Sequence, residues 1–187
     1  MRRALVAALS IVGVFIATGL LTQCPARAQR VVPGETCEAT EPEHWCGRLW
    51  SEKRVDRLHS QEARWEACID LVELAAGAGL DVADVVALAW HESKLNPEAV
   101  SKGNARGVLQ VVPSQMKRWR KRTKGARGDY VTAGLWTWER FARKSKSVQQ
   151  AVCRYRAGYS PECVPGTKRW SEAGAVVALA GRLRGGE

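Results

Sequence analysis

The sequence predicts a mainly α fold, and three observations carry that reading. Apolar residues recur at three- and four-residue spacing in several separate stretches. No alternating apolar and polar stretch of useful length is present, and there is no internal repeat. Gly, Pro and Asp fall where helices should start or stop.

Residues 1–28 are set apart as an export signal. Met1-Arg2-Arg3 is a short basic head, Ala4 to Leu21 is apolar apart from Ser10 and Thr18, and Ala26-Arg27-Ala28 offers a cleavage site. The competing reading is an uncleaved anchor helix. Cys24 does not mark a lipoprotein, because Leu21-Thr22-Gln23 precedes it where a small residue is required. Of 187 residues, 29 are Lys or Arg and 19 are Asp or Glu, a formal charge of +10. Cleavage removes Arg2, Arg3 and Arg27 and no acid, leaving +7 over 159 residues. The chain is then expected in the periplasm or outside the cell. Its length suits one domain with a small appendage and excludes a large multidomain machine.

Residues 29–53 read as a disulfide-tied N-terminal extension with little regular structure, and residues 54–187 as the main domain. Five cysteines follow the signal, and export makes them disulfide candidates. Cys37 with Cys46 and Cys153 with Cys163 are the local pairs. Cys68 reads as a buried thiol, with a Cys68–Cys153 bridge as competitor.

Helical spacing of Val55, Leu58, Cys68, Leu71, Val72 and Ala75 runs until Gly77 and Gly79 break it. Asp81 is a good N-cap for a second helix ending near Ser93 before Asn96-Pro97. A loop follows over 94–113, then a helix from Ser114 into a basic run. Leu135 to Phe141, Val148 to Tyr155 and Ala173 to Leu183 complete the set, with a loop at Gly158, Pro161, Pro165 and Gly166.

The second helix carries the informative anomaly. Val85, Leu88, Ala89 and Glu92 share one face, so an inward stripe ends in a carboxylic acid. Burial and the negative end of the helix both favour its protonated form, which a general acid requires. The plainer alternatives are rotation to solvent or pairing with Lys94 or Arg106. His91-Glu92 begins a zinc-binding H-E-x-x-H pattern, but Leu95 stands at its last position, so neither metal nor cofactor is expected.

The strings Ala87-Leu88-Ala89-Trp90-His91-Glu92-Ser93, Asn96 to Ser101, and Gly107-Val108-Leu109-Gln110-Val111-Val112-Pro113 together resemble the catalytic domain of the soluble lytic transglycosylases. Ser101 lies nine residues after Glu92, Gln110 eighteen and Pro113 twenty-one, as in that family's Glu-Ser, Ser, and Gly-Leu-Met-Gln with Pro. Ala151 to Gly158 is similar to its Ala-Tyr-Asn-Ala-Gly segment, and Ala133-Gly134 to its Gly-led helix. The resemblance covers about residues 55–160.

It implies a lysozyme-like fold with a substrate cleft. It further implies that Glu92 is the single catalytic acid/base, and that Ser101 and Gln110 line the sugar cleft. Tyr155 would lie near the carboxyl and help orient it, with Ser93 as a support. Arg156 stands where the family has Asn, exchanging a neutral donor and acceptor for a fixed cation. The implied reaction cleaves the β-1,4 bond between N-acetylmuramic acid and N-acetylglucosamine in peptidoglycan, leaving a 1,6-anhydro end. Ordinary glycosidases use two carboxyl groups. From Lys94 to Gly128 the only acid is Glu98, although a distant one such as Asp129 could fold back. A lysozyme-type hydrolase of the same fold and a non-catalytic wall-binding module are the rival readings.

Lys117, Arg118, Arg120, Lys121, Arg122, Lys124 and Arg127 place seven positive charges in eleven residues around Trp119. Such a run reads as a solvated face or as an attraction to anionic envelope polymers. Glycan strands are the expected partner, nucleic acid is not expected, and a monomer is.

Overall fold

The computed structural model describes residues 41–53, 61–124 and 128–185. Its centre is the helix that ends in Glu92. From Ala83 to Trp90 every residue of that helix, Val82–Ser93, is buried. An apolar run of this kind cannot sit at a surface and needs partners on all sides. The described residues hold six other helices, three of which pack on this one, with only isolated antiparallel bridges and no strand.

In chain order the helices are α1 (Pro42–Lys53), α2 (Gln61–Gly77), α3 (Val82–Ser93), α4 (Pro113–Arg122), α5 (Tyr130–Arg143), α6 (Val148–Ala157) and α7 (Lys168–Leu183). Helices α1, α2 and α7 pack on α3, while α6 joins α5 to α7. Leu71, Val72, Val85, Leu88, Leu179 and Leu183 are fully enclosed or nearly so. Each such side chain contributes about 1.5–3 kcal/mol by leaving water.

Several helices begin earlier than their apolar residues suggest, for one reason. Asp129 accepts from the backbone N–H of Thr132 at 2.9 Å and so starts α5 five residues before Leu135. Thr167 accepts from Trp170 N–H at 3.2 Å and starts α7 five residues before Ala173. Polar caps set the ends, whereas periodicity marks only the buried stretch. At α3 the expected cap is present, with Asp81 accepting from Asp84 N–H at 3.0 Å.

The segment expected to be irregular, residues 29–53, contains α1, whose Trp45, Cys46 and Leu49 are buried. The disulfides are Cys46–Cys68 and Cys153–Cys163. The second is the expected local pair. The first corrects both the Cys37–Cys46 pairing and the free thiol at Cys68: two cysteines on the touching faces of α1 and α2 meet across helices. Cys37, the export signal at 1–28, and Val55 and Leu58 lie outside the described residues. No helix among the described residues is long and apolar enough to cross a membrane. The two disulfides fit an exported protein.

The link from α3 to α4 is held closely. Lys94 caps α3 in the left-handed conformation (φ 57°), and the next residue, Leu95, is also left-handed yet fully buried. Arg106 bridges to both Val100 and Val111, folding the link into a compact turn against α5. Gly134 permits that approach, since a Cβ there would stand 2.7 Å from Leu109 Cβ.

Candidate active site

Glu92 occupies the last turn of α3, one turn beyond the enclosed Leu88. Its side chain is only 14% exposed. The Arg156 guanidinium of α6 lies over it, with Nε 3.0 Å from Oε1. The contact is an ion pair whose N–H is poorly aligned on Oε1, an oxygen that is itself buried from solvent. Arg156 Nη1 also reaches Glu172 Oε2 of α7 at 3.3 Å. The partner of Glu92 is thus neither Lys94 nor Arg106, but a residue 64 positions away that α6 brings across the core.

Two adjoining cavities share Glu92 and Arg156. The larger, about 510 Å³, also exposes Ser101, Gln110 and Tyr155. Ser101 Oγ accepts from Ala105 N–H at 3.1 Å, fixing the turn that follows it. Gln110 is left-handed (φ 47°), and its amide nitrogen donates to the carbonyls of Ala99 (3.2 Å) and Gly107 (3.0 Å). Ser93 Oγ donates to Val108 carbonyl at 2.8 Å, tying the turn to α3. Tyr155 donates its hydroxyl to Leu109 carbonyl at 2.7 Å, so its bond goes to the turn and not to Glu92. Ser101, Gln110, Tyr155 and Arg156 are therefore gathered around Glu92, and Ser93 lies behind them as a strut.

Residues 73–159 match the family model of the transglycosylase SLT domain. Over these residues the chain is similar to that family. No curated protein and no solved structure matches the chain. The SLT segment runs from the later part of α2 to just past α6. It contains all six of the site residues, and α1 and α7 lie outside it.

The electrostatics of the site are dominated by burial. Burial raises the Glu92 carboxyl above the ordinary glutamate value, while Arg156 and then Lys94 pull it back down without cancelling the effect. Burial, helped by the Glu92 charge, holds Tyr155 well above an ordinary phenol, so it stays neutral. His91 is pushed down to about 4 by burial and by the cations Lys94, Arg156 and Lys53, so it too is uncharged near neutral pH.

Sequence reasoning did not find several residues that line these cavities. Arg140, Phe141 and Tyr159 join the larger one, together with Arg118 from the basic run. Lys168, Arg169 and Glu172 of α7 line the smaller one. Nothing local in the sequence relates α7 to Glu92. Asp129, the acid that could have folded back, caps α5 instead. Trp138 packs edge-on to Tyr155, with ring centroids 6.3 Å apart, and is buried core.

Proposed function

We propose that the chain is an exported peptidoglycan lytic transglycosylase, with Glu92 as its catalytic acid/base and no cofactor. The observation that carries this reading is a single buried carboxyl that ends an otherwise apolar helix face and lines a cavity. Such a group keeps its proton to higher pH, as a general acid requires.

In this reading Glu92 protonates the glycosidic oxygen between N-acetylmuramic acid and N-acetylglucosamine. The acetamido group of the sugar stabilises the positive charge that develops. Ionised Glu92 then takes the proton of the muramic acid 6-hydroxyl, which closes the 1,6-anhydro ring without consuming water. Ser101 and Gln110 border the strand, while Tyr155 holds the Leu109–Gln110 turn against α6. The Lys117, Arg118, Arg120, Lys121 and Arg122 side chains face solvent on α4, with Met116 and Trp119 turned inward. That division supports attraction of a monomeric enzyme to anionic envelope polymers, in the periplasm or outside the cell.

Glu172 favours a second reading, hydrolysis. It is a second carboxylate linked to Glu92 through Arg156, and a base of that kind activates water in two-carboxylate glycosidases. Mass spectrometry of digested peptidoglycan separates the two, since transglycosylation leaves anhydro ends and hydrolysis leaves reducing ends. Glu92→Gln should lower the release of anhydro fragments about 100-fold or more. An unchanged rate removes Glu92 from the chemistry. Binding to wall sacs with no cleavage by the wild type identifies a binding module.

A further inference from the structure

The smaller cavity, about 370 Å³, shares its wall with the larger one at Glu92 and Arg156 but differs in chemistry. No aromatic ring lines it, so it offers no face for stacking a sugar. Its charged groups are Arg156, Lys168 and Arg169 against Glu92 and Glu172. Arg156 already serves both carboxylates, and Arg169 is paired with Glu162. Lys168 enters no ion pair among the described residues, so it is the one cation of this lining without a carboxylate partner. Lys168 and Arg169 are also the first two residues of α7, whose positive end adds to the same potential. The disulfide Cys153–Cys163 holds the floor of the cavity to the loop that leads into α7.

We propose that this cavity is a carboxylate-binding subsite, in which Lys168 and Arg156 take an anionic group carried by the bound strand and the Arg156 guanidinium is drawn off Glu92. The inference rests on the transglycosylase reading and adds a selectivity to it. A guanidinium beside Glu92 favours the carboxylate form, which cannot donate a proton. A second anion competing for Arg156 relieves that hold, so a strand bearing the charge prepares its own acid. Lys168, Arg169 and Glu172 lie beyond the matched SLT segment, and Arg156 occupies the family's Asn position, so the device belongs to this chain's own residues.

The test compares three preparations of glycan strands at about 0.15 M salt, where long-range attraction is screened. One keeps its peptide stems. One has the stems removed by an amidase, leaving the lactyl carboxylates. One keeps its stems but has every carboxylate coupled to glycinamide. Wild type should cleave the neutralised strands with kcat/KM about 3- to 10-fold lower than the charged ones. The stem-bearing and stripped arms identify which carboxylate is read. Lys168→Gln should abolish the preference, and Lys168→Arg should restore it. Equal cleavage of charged and neutralised strands by wild type overturns the subsite, as does a full preference retained in Lys168→Gln.

If the wild type makes no anhydro ends from any preparation, the transglycosylase reading fails. Retention of the three strand preparations on the immobilised protein then gives the same comparison without cleavage. Equal retention of charged and neutralised strands overturns the subsite there as well.

Discussion

Two double substitutions separate what holds the fold from what shapes the site. One is Cys46→Ala with Cys68→Ala, the other Cys153→Ala with Cys163→Ala. The first bridge spans 22 residues and the second 10. Loop-closure entropy in the unfolded chain gives about 3.4 kcal/mol for the first and about 2.7 kcal/mol for the second. The stability losses should therefore be similar, with the Cys46–Cys68 loss slightly larger. The losses of activity should not be similar. Cys46–Cys68 fastens α1 to α2, behind α3 and away from both cavities. Cys153–Cys163 fastens α6 to the loop that leads into α7, and Cys153 itself lines the smaller cavity. Urea unfolding of both variants gives the stabilities, and anhydro-fragment release below the onset of melting gives the activities. The Cys153/Cys163 variant should lose activity at a temperature where it is still folded, and the Cys46/Cys68 variant should keep it. Equal activity losses in folded protein refute the reasoning, as does a peptide map that links Cys37 to Cys46.

Two further predictions concern α3 and its contacts. Burial, helped by Asp81, raises Asp84 to about 6 from 3.8, against the pull of Arg184 at 2.7 Å. A raised acid gives stability that is fully present below its ordinary value and lost as pH rises through the higher one. At about 1.4 kcal/mol per pH unit the loss between pH 4 and pH 7 is at most about 3 kcal/mol. Asp84→Asn removes that dependence, so urea titrations should show the variant gaining on wild type as pH rises; a constant difference would mean that the Arg184 pair cancels burial, and wild type gaining on the variant that it outweighs burial. Gly134→Ala places a methyl 2.7 Å from Leu109 Cβ and Cδ1. It should cost about 1–3 kcal/mol of stability and lower activity by shifting the turn that carries Gln110, as melting and fragment release would show.

Much of this was legible because the relevant signals are local. The apolar stripe Val85, Leu88, Ala89 placed Glu92 on a buried face, and the caps and breakers around it fixed both ends of α3. The turn residues Ser101 and Gln110 sat at intervals that only their distance from Glu92 made informative. What escaped was long-range. Arg156 pairs with Glu92 across 64 residues, and Glu172 and Lys168 arrive from a helix outside the SLT segment. Cys46 finds Cys68 because two helix faces meet, a fact that proximity along the chain argues against. Starts of helices were missed where a polar cap, Asp129 or Thr167, extends a helix beyond its buried stretch.

The same burial that makes Glu92 conspicuous also makes it expensive. A carboxyl held above its ordinary value stabilises the fold only while protonated, and that contribution fades as pH rises. Replacing it with an apolar residue would finish the stripe and remove the penalty, so stability does not account for an acid at this position. Arg156 reduces the cost by supplying a counter-charge, yet its Nε does not align a hydrogen on Oε1. The contact therefore compensates the buried charge only in part. His91 and Tyr155, both neutral near pH 7, add no competing acid or base beside it. In such surroundings the protonation of Glu92 is governed by two things, the water that a bound strand excludes and the distance of one guanidinium.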